Sequence, residues 1–228
     1  YMERSFWWLH IIGILFFLNY LYYSKHLHIL LAFPNTYYAN LEEKGKFDIL
    51  ESVKNEVLLM FYPEKVQEEN NAQVEKFGAS DVLDLNWIQL MNAYSCTECG
   101  ICTSECPANL TGKKLSPRKI MMDTRDRLEE VSKNISKNNG VFKDDGNQLL
   151  DNFISREELW ACTTCNACVD ACPINIDPLS IIMKMRQYLI MEESSAHSDL
   201  NNMMNNIENN GAPWPFNQQD RELWIQEP

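Results

Sequence analysis

Two cysteine runs with the same spacing constrain this chain more than any other feature of its sequence. Each run reads C-x2-C-x2-C-x3-C-P, and the second run begins 66 residues after the first. The whole pattern occurs twice, both prolines included, which makes the signal specific. Together the runs contain all eight cysteines of the 228 residues: Cys96, Cys99, Cys102 and Cys106 before Pro107, and Cys162, Cys165, Cys168 and Cys172 before Pro173.

This spacing predicts two cubane [4Fe–4S] clusters held by cysteine thiolates. In a run of this form the first three cysteines bind one cluster, and the fourth binds the cluster of the other run. The exchange of fourth ligands would tie together two distant parts of the chain. We therefore predict one cluster on Cys96, Cys99, Cys102 and Cys172, and a second cluster on Cys162, Cys165, Cys168 and Cys106.

Zinc and disulfide bonds are the alternative uses of these cysteines. Structural zinc favours paired C-x2-C knuckles with four ligands for each ion, and such sites have no C-x3-C-P tail. Four disulfides are disfavoured because C-x2-C neighbours seldom suit disulfide geometry and the chain lacks the character of a secreted scaffold. Iron–sulfur clusters remain the leading interpretation.

Composition limits the partners and the compartment. The formal net charge is −12, and no basic patch is visible, so we expect no nucleic-acid partner. Reduced cysteines indicate a reducing compartment, and we expect the cluster domain to face the cytoplasm. The sequence begins at Tyr1, close to an apolar run, and we expect it to be the C-terminal part of a longer membrane protein.

Residues 6–33 form the most apolar stretch of the chain. The first eighteen of them contain no Lys, Arg, Asp or Glu, which is close to the length of about 20 residues that a transmembrane helix needs. Aromatic residues near both ends fit the belts found at membrane interfaces. We predict one transmembrane helix that Pro34 stops, with a buried helix of a soluble protein as the alternative.

Histidines in this stretch are candidate haem ligands. His10 and His28 lie eighteen residues apart, which is five helical turns, so one continuous helix would project both from one face roughly 27 Å apart. His26 would lie on nearly the opposite side. Such a pair predicts axial ligands of two b-type haems, with the second ligands on helices elsewhere. Histidines that merely reach the lipid headgroups are the alternative.

The rest of the chain is predicted to be mostly helical, giving an all-α fold. We expect Asp84 to cap a helix whose apolar face covers the first cluster through Trp87, Leu90, Met91 and Tyr94. Gly100 is a predicted positive-φ residue. Further helix starts are predicted at Ser116-Pro117, with an end near Val131, at Ser155 with Glu158, and at Asp177-Pro178.

These elements form an internal duplication of helix, cysteine run and proline-opened helix. A polar segment over residues 63–78 is expected to be a mobile linker. The predicted organisation is a transmembrane helix at 1–33, a connector and linker at 34–79, the dicluster domain at 80–193, and an irregular arm at 194–228.

Three stretches carry a family resemblance. They are residues 94–107 (YSCTECGICTSECP), residues 159–177 (LWACTTCNACVDACPINID) and the tail motif NNGAPW. They resemble the iron–sulfur subunits of heterodisulfide reductase-like proteins, among them the iron–sulfur component of anaerobic glycerol-3-phosphate dehydrogenase. The resemblance covers roughly residues 80–220. It implies an α-helical ferredoxin domain, with all eight cysteines at the positions of cluster ligands.

The N-terminal helix is similar to the last helix of the nitrate reductase gamma-type cytochrome b. In that family a late helix carries two haem-ligating histidines at this separation, and His10 and His28 match them. Many relatives also carry cysteine-rich CCG domains. No cysteine follows Cys172, so disulfide catalysis would belong to a partner subunit.

The leading functional hypothesis is an electron-transfer subunit in the cytoplasmic membrane. It would carry electrons between the quinone pool, membrane haem b, the two [4Fe–4S] clusters and a CCG-domain or flavin dehydrogenase subunit. A catalytic oxidoreductase is one alternative, but it would need an open cluster site, and all eight ligands are present. A membrane-anchored redox sensor is the other, although no output domain is visible.

Overall fold

The computed structural model describes residues 1–24, 26–43, 46, 51–62, 76–217, 220 and 222–226. These residues form helices and loops with no strand among them, which confirms the predicted all-α class. A 3-10 turn covers Val82–Asp84. The helices are α1 (Met2–Leu21), α2 (Leu27–Tyr37), α3 (Glu51–Phe61), α4 (Trp87–Ser95), α5 (Ile101–Ser104), α6 (Pro107–Leu110), α7 (Pro117–Lys137), α8 (Leu149–Asn152), α9 (Arg156–Ala161), α10 (Ala167–Asp170), α11 (Pro178–Met191), α12 (Ser198–Asn210) and α13 (Leu223–Gln226).

The apolar N-terminal stretch is two helices, and the prediction of one continuous helix is wrong. Helix α1 ends at Leu21 and α2 begins at Leu27. Between them, the Ser24 hydroxyl donates to the Leu21 carbonyl at 3.0 Å and accepts from the His26 amide at 3.2 Å. Local bonds of this kind offer the backbone an alternative to helical pairing, and here they end α1.

Pro34 lies inside α2 and does not stop it, which corrects a second expectation. The helix continues to Tyr37, and the Tyr38 amide donates to the Pro34 carbonyl at 2.9 Å. Tertiary contacts hold this end in place. The buried Asn35 side chain donates to the Ile174 carbonyl at 2.9 Å, and α2 packs along α4. These contacts compensate for the amide hydrogen bond that proline lacks.

Helix α4 presents a different face to the core from the one predicted. Asn86, not Asp84, is the N-cap, and it forms a capping box with Gln89. The residues that α4 buries are Gln89, Asn92, Ala93 and Ser95. Trp87 is 56% exposed and meets Tyr38 edge to face at 4.8 Å between ring centroids. Trp87 therefore packs against the end of α2 and not into the core.

The internal duplication is present in the structure. Each cysteine run follows a short helix, α4 or α9, and precedes a longer helix, α7 or α11. Ser116 caps α7 and Asp177 caps α11, each ahead of a proline, as predicted. Helix α7 runs to Lys137, six residues beyond the predicted end. The two long helices pack against each other, and their apolar sides form the centre of the core.

An arginine on α7 joins three segments that are distant in sequence. Arg127 is fully buried, and its guanidinium binds the carboxylates of Asp81 at 2.8 Å and Asp145 at 2.7 Å. It also donates to the Asn147 carbonyl at 2.5 Å. The hydrogen bonds to both carboxylates raise the pKa of Arg127 further, so it stays charged. The polar loop before α8, which carries no sequence motif, is thereby fixed to the core.

The C-terminal arm differs from expectation, whereas the predicted linker is mostly untested. The arm predicted to be irregular contains α12, over Ser198–Asn210. Most of the predicted linker, residues 63–75, lies outside the described residues. Its last residue, Gly78, has φ +79°, and a Cβ there would lie 2.3 Å from the Lys184 carbonyl oxygen. This position therefore needs glycine, because the backbone lies directly against α11.

Candidate iron–sulfur site

The two cysteine runs share an unusual backbone conformation. Cys96 and Cys162 are the C-caps of α4 and α9, so each run begins where a helix ends. The residues before and after the second cysteine of each run have positive φ, and this confirms the prediction for Gly100. These residues are Glu98 and Gly100 in the first run, and Thr164 and Asn166 in the second.

Two backbone amides donate to cysteine sulfur atoms, one from left-handed Thr164 and one from Ile176, which follows left-handed Asn175. The Thr164 amide donates to Cys162 Sγ at 3.4 Å, and the Ile176 amide donates to Cys172 Sγ at 3.4 Å. For Thr164 the conformation is strained, because β-branched residues rarely adopt positive φ. Amide-to-sulfur bonds stabilise thiolates that hold iron–sulfur clusters, so the local geometry suits such a group.

The fold brings Cys172 to the first three cysteines. Burial raises the pKa of Cys96, and the thiols of Cys172 and Cys99 raise it further. Burial likewise raises the pKa of Cys102, with Cys96 and Cys172 again contributing. A cavity is lined by the first three cysteines of the first run together with Cys172 and Cys168. Four thiols from both runs thus share one neighbourhood.

The other four thiols are arranged in the same way. Burial raises the pKa of Cys162, and Cys106 and Cys165 raise it further. Burial raises the pKa of Cys168 to about 12, with contributions from Cys162 and then from Cys102 and Cys106. Because Cys102 acts on Cys168, the two groups are neighbours. The short helices inside the runs, α5 and α10, also contact each other.

The cysteines differ in their access to solvent. Cys99 and Cys165 are exposed, whereas Cys106 and Cys168 are buried. Within the described part of the chain, no three His, Cys, Asp or Glu side chains lie close enough to hold a single metal ion. Thiolates around a cubane cluster bind separate iron atoms at its corners. The donor set, eight soft thiols in two groups of four, suits iron–sulfur chemistry.

Two arginines beside the runs escaped the sequence interpretation. Arg125 on α7 binds the Glu98 carboxylate at 2.6 Å, and it favours the thiolate form of Cys96. Arg186 on α11 donates to the Cys162 carbonyl at 2.6 Å and favours the thiolate of that residue. Both lie eight residues after the proline that opens their helix. Aligning the two halves of the duplication would have revealed them.

A large cavity lies between the end of α1 and the first cysteine run. Its volume is about 630 Å³. Residues around the α1–α2 junction line one side, among them Tyr22, Ser24 and His28, and Tyr94 and Cys96 line the other. The cavity therefore gives the first run an opening towards the apolar helix. Of the described helices, α1 is the one long and apolar enough to cross a membrane.

The candidate haem histidines do not share one helix. His10 lies on α1 and His28 on α2, with the break at residues 22–26 between them. The separation of five turns on one face, which depended on a continuous helix, is therefore wrong. His28 lines the cavity beside Cys96, and its ring lies 6.5 Å from that of His26. Haem ligation by either histidine stays a prediction.

Comparison with known proteins agrees with the cysteine geometry. The sequence model of the 4Fe-4S dicluster domain matches residues 95–176, which contain both runs and α7. The matched segment begins one residue before Cys96 and ends four residues after Cys172. The chain therefore contains a dicluster domain, in agreement with its eight cysteines.

Two curated relatives are named as oxidoreductases. The chain is 32% identical to the probable iron-sulfur-binding oxidoreductase FadF of Bacillus subtilis, over 97% of this chain and 33% of the relative. It is 26% identical to the EtfAB:quinone oxidoreductase of Syntrophomonas wolfei, over 99% of this chain and 31% of the relative. The chain thus spans about a third of the length of these two proteins.

A third relative is a heterodisulfide reductase component. It belongs to the ferredoxin/F(420)H(2)-dependent CoB-CoM heterodisulfide reductase of Methanosarcina acetivorans and is 30% identical over 50% of this chain and 56% of the relative. This agrees with the resemblance carried by the cysteine runs. With its dicluster domain, its all-α fold and these relatives, the chain is similar to heterodisulfide reductase-like iron–sulfur proteins.

Proposed function

We propose that this chain is the electron-transfer segment of a membrane-bound oxidoreductase. It passes single electrons between a carrier on the membrane side and a soluble dehydrogenase or heterodisulfide reductase-like partner. The observation that carries the proposal is the meeting of eight cysteines in two neighbouring groups, one of which opens towards an apolar helix. Clusters bound by such cysteines accept and release one electron at a time.

The ligand assignment follows the two groups of thiols. In the proposal, Cys172 completes the first-run site and Cys106 completes the second-run site. Support comes from the thiols that act on each other, because Cys172 raises the pKa of Cys96 and Cys106 raises that of Cys162. Burial raises the pKa of Cys96 and of Cys162, so binding of a cluster by their thiolates would release protons.

The protein positions the sites and limits access by water. Buried Cys106 and Cys168 lie towards the interior, and exposed Cys99 and Cys165 lie at the surface. The contact between α5 and α10 keeps the two sites adjacent. An electron can therefore pass directly from one proposed site to the other.

On the membrane side, the proposed carrier is a quinone. Its headgroup would occupy the cavity beside Cys96, where the hydroxyl group of Tyr22 can donate to a carbonyl oxygen. Its apolar tail would lie along α1, whose side chains are mostly exposed. A relative named as a quinone oxidoreductase supports this choice. The domain would face the cytoplasm, where thiols stay reduced.

Haem b does not enter this proposal. The pairing of His10 with His28 depended on one continuous helix. The structure has two helices instead, with His10 on the first and His28 on the second. The cavity beside Cys96 provides a membrane-side opening without it. Optical spectra of the full-length protein would show b-type bands if the two histidines bind haem together with other helices.

Low-temperature EPR of the full-length protein, extracted from membranes under anaerobic conditions, tests the proposal. We expect two interacting [4Fe–4S]⁺ signals on reduction and about eight irons for each chain. Addition of a quinone to the reduced protein should remove both signals. Zinc in place of iron, about four irons, or a single labile cluster would contradict the proposal.

Cys106→Ser tests the exchange of ligands. We expect loss or conversion of one EPR signal while the other persists, because Cys106 belongs to the site of the second run. Cys162→Ser should affect the same signal, and Cys96→Ser should affect the other. If Cys106→Ser and Cys96→Ser removed the same signal, the assignment would be wrong.

A further inference from the structure

Arg125 and Arg186 occupy equivalent places in the two halves of the domain. Each lies eight residues after the N-terminal proline of its helix, Pro117 in α7 and Pro178 in α11. Arg186 donates to the Cys162 carbonyl at 2.6 Å, and Arg125 lines the same cavity as Cys96, so each guanidinium lies beside the first cysteine of its own run. The duplication thus places one fixed cation beside each proposed cluster site.

The two cations have different partners. Arg125 is paired with the Glu98 carboxylate at 2.6 Å, and Asp126 lies 3.7 Å away. Arg186 donates to the carbonyls of Leu159 and Cys162, at 3.0 Å and 2.6 Å. Its guanidinium carbon lies 5.0 Å from the centroid of the Trp160 ring. Among the described residues, no carboxylate forms an ion pair with Arg186.

This difference has a direct electrostatic consequence. One-electron reduction adds negative charge at a thiolate-bound site, and a nearby cation stabilises that charge. The charge of Arg125 is largely cancelled by Glu98, whereas neutral carbonyls and an aromatic ring leave the charge of Arg186 intact. Burial lowers the pKa of Arg186, but an arginine remains protonated in a folded protein.

Other charges lie near the two sites, and their positions are part of the comparison. The Asp177 carboxylate accepts from the Ser180 amide at 2.9 Å and also acts on Cys168. On the first-run side, exposed Arg118 lines the cavity that contains Cys99. These groups set the starting potentials of both sites. They remain in place when Arg186, Arg125 or Glu98 is replaced. A change in midpoint potential is therefore due to the charge that was removed.

We propose that Arg186 is a redox-tuning residue that raises the reduction potential of the cluster on Cys162, Cys165, Cys168 and Cys106. In the other half, Glu98 cancels the corresponding effect of Arg125. This inference rests on the proposed function, because it requires two assembled clusters. The same helical position is therefore a source of positive potential in one half and part of a neutral ion pair in the other.

Redox titration of the full-length protein, followed by low-temperature EPR, tests the inference. Arg186→Gln should lower one of the two midpoint potentials and leave the other in place. Arg186→Lys, which keeps the charge, should restore most of the lost potential. Glu98→Gln should raise the midpoint that Arg186→Gln does not affect, because it uncovers the charge of Arg125.

The double variant Glu98→Gln with Arg125→Gln is the matched control. It removes a neutral pair, so the midpoint should return towards the wild-type value. Unchanged midpoints in Arg186→Gln, with iron content and both signals intact, would overturn the inference. If Arg186→Gln does not assemble its clusters, Glu98→Gln is the deciding variant. A raised midpoint potential of the first-run cluster that the double variant reverses supports the inference. An unchanged midpoint potential in Glu98→Gln overturns it.

Failure of the proposed function gives a separate result. Wild-type protein would then lack two [4Fe–4S] signals, and no midpoint comparison would arise. If wild-type protein shows two signals and none of the charge variants changes a midpoint potential, the electron-transfer function stands and Arg186 does not tune the cluster.

Discussion

The two halves of the cluster domain share their cysteine geometry and flanking helices but differ in the length of those helices and in the charges beside them. Both have a helix that ends at the first cysteine, two left-handed residues in the run, and a capped, proline-opened helix afterwards. The first half has a 21-residue α7 and the additional helix α6, whereas α11 has 14 residues. The shared features give the cysteines of both runs the same backbone conformation, and the differing features determine charge, access and attachment to the rest of the chain.

The clearest difference lies at the tenth residue after the helix proline. Position 127 of α7 is a fully buried arginine bound to two aspartates, and the equivalent position of α11 is Tyr188. Arg127 attaches the segment around Asp81 and the loop at Asp145 to the first half. A tyrosine cannot bind two carboxylates in this way, because it carries no positive charge. Long α7 therefore organises the domain, and α11 packs against it.

Replacing Arg127 should have the largest effect on stability. We expect Arg127→Met to lower the free energy of unfolding by about 3–5 kcal/mol, because Asp81 and Asp145 would lose their shared cation. Urea unfolding of the anaerobic holoprotein, followed by circular dichroism, measures this. Tyr188→Phe, at the equivalent position of α11, should cost less than about 1 kcal/mol. Equal losses of unfolding free energy in the two variants would contradict the proposed difference between the halves.

The capping boxes of α4 and α9 provide a second comparison. The α4 box uses neutral Gln89, whereas the α9 box uses Glu158, which also accepts from Lys119 of α7 at 2.7 Å. Burial alone would raise the pKa of Glu158, but the hydrogen bonds from Lys119 and Ser155 outweigh it and lower the pKa. The second box therefore links the halves through a charge.

We expect Glu158→Gln to cost about 1–3 kcal/mol at pH 7, because a charged hydrogen bond to Lys119 is lost. Since the pKa of Glu158 is lowered on folding, its stabilisation is complete above its ordinary value of 4.5 and is lost as the pH falls through the folded value. The difference between wild-type and variant unfolding should narrow in that range. The exposed neighbour Glu157, as Glu157→Gln, should change stability by less than about 0.5 kcal/mol. If the difference in unfolding free energy between wild type and Glu158→Gln did not depend on pH, the charged bond to Lys119 would be contradicted.

Thiol reactivity compares the third cysteines of the two runs. Cys168 is buried with a pKa of about 12, whereas its counterpart Cys102 is partly exposed. After chelation of iron, we expect iodoacetamide to modify Cys168 several-fold more slowly than Cys102, because less thiolate is present and less of it is accessible. Peptide mass spectrometry measures both rates in one sample. Equal rates would show that the difference between the runs is lost without clusters.

The smallest effect concerns the left-handed residues. Thr164 has φ +56° where the first run has Glu98 at +57°. Because a β-branched residue is strained there, Thr164→Gly should stabilise the protein by up to about 1 kcal/mol. Thermal unfolding of the holoprotein measures the change. Thr163→Gly, one residue earlier, should destabilise instead, and stabilisation by both variants would argue against local strain.

Short-range signals in the sequence determined the local structure of the candidate site. The cysteine spacing, the caps at Ser116 and Asp177, and glycine at position 100 each act within a few residues, so they predict the same structure in any tertiary context. The capping box of Ser155 with Glu158 is of the same kind. For this reason the duplication, the all-α class and the metal-binding chemistry were all visible in the sequence.

Long-range contacts decided the rest. The passage of α2 through Pro34 is accompanied by the bond from Asn35 to Ile174, 139 residues away. Arg127 binds the carboxylates of Asp81 and Asp145, which lie 46 and 18 residues away in sequence. Periodicity identifies apolar positions without saying which neighbour will cover them, so the buried face of α4 was predicted wrongly. The environments of Arg125 and Arg186 likewise came from packing, because a guanidinium charge is cancelled or preserved by the groups that the fold brings beside it.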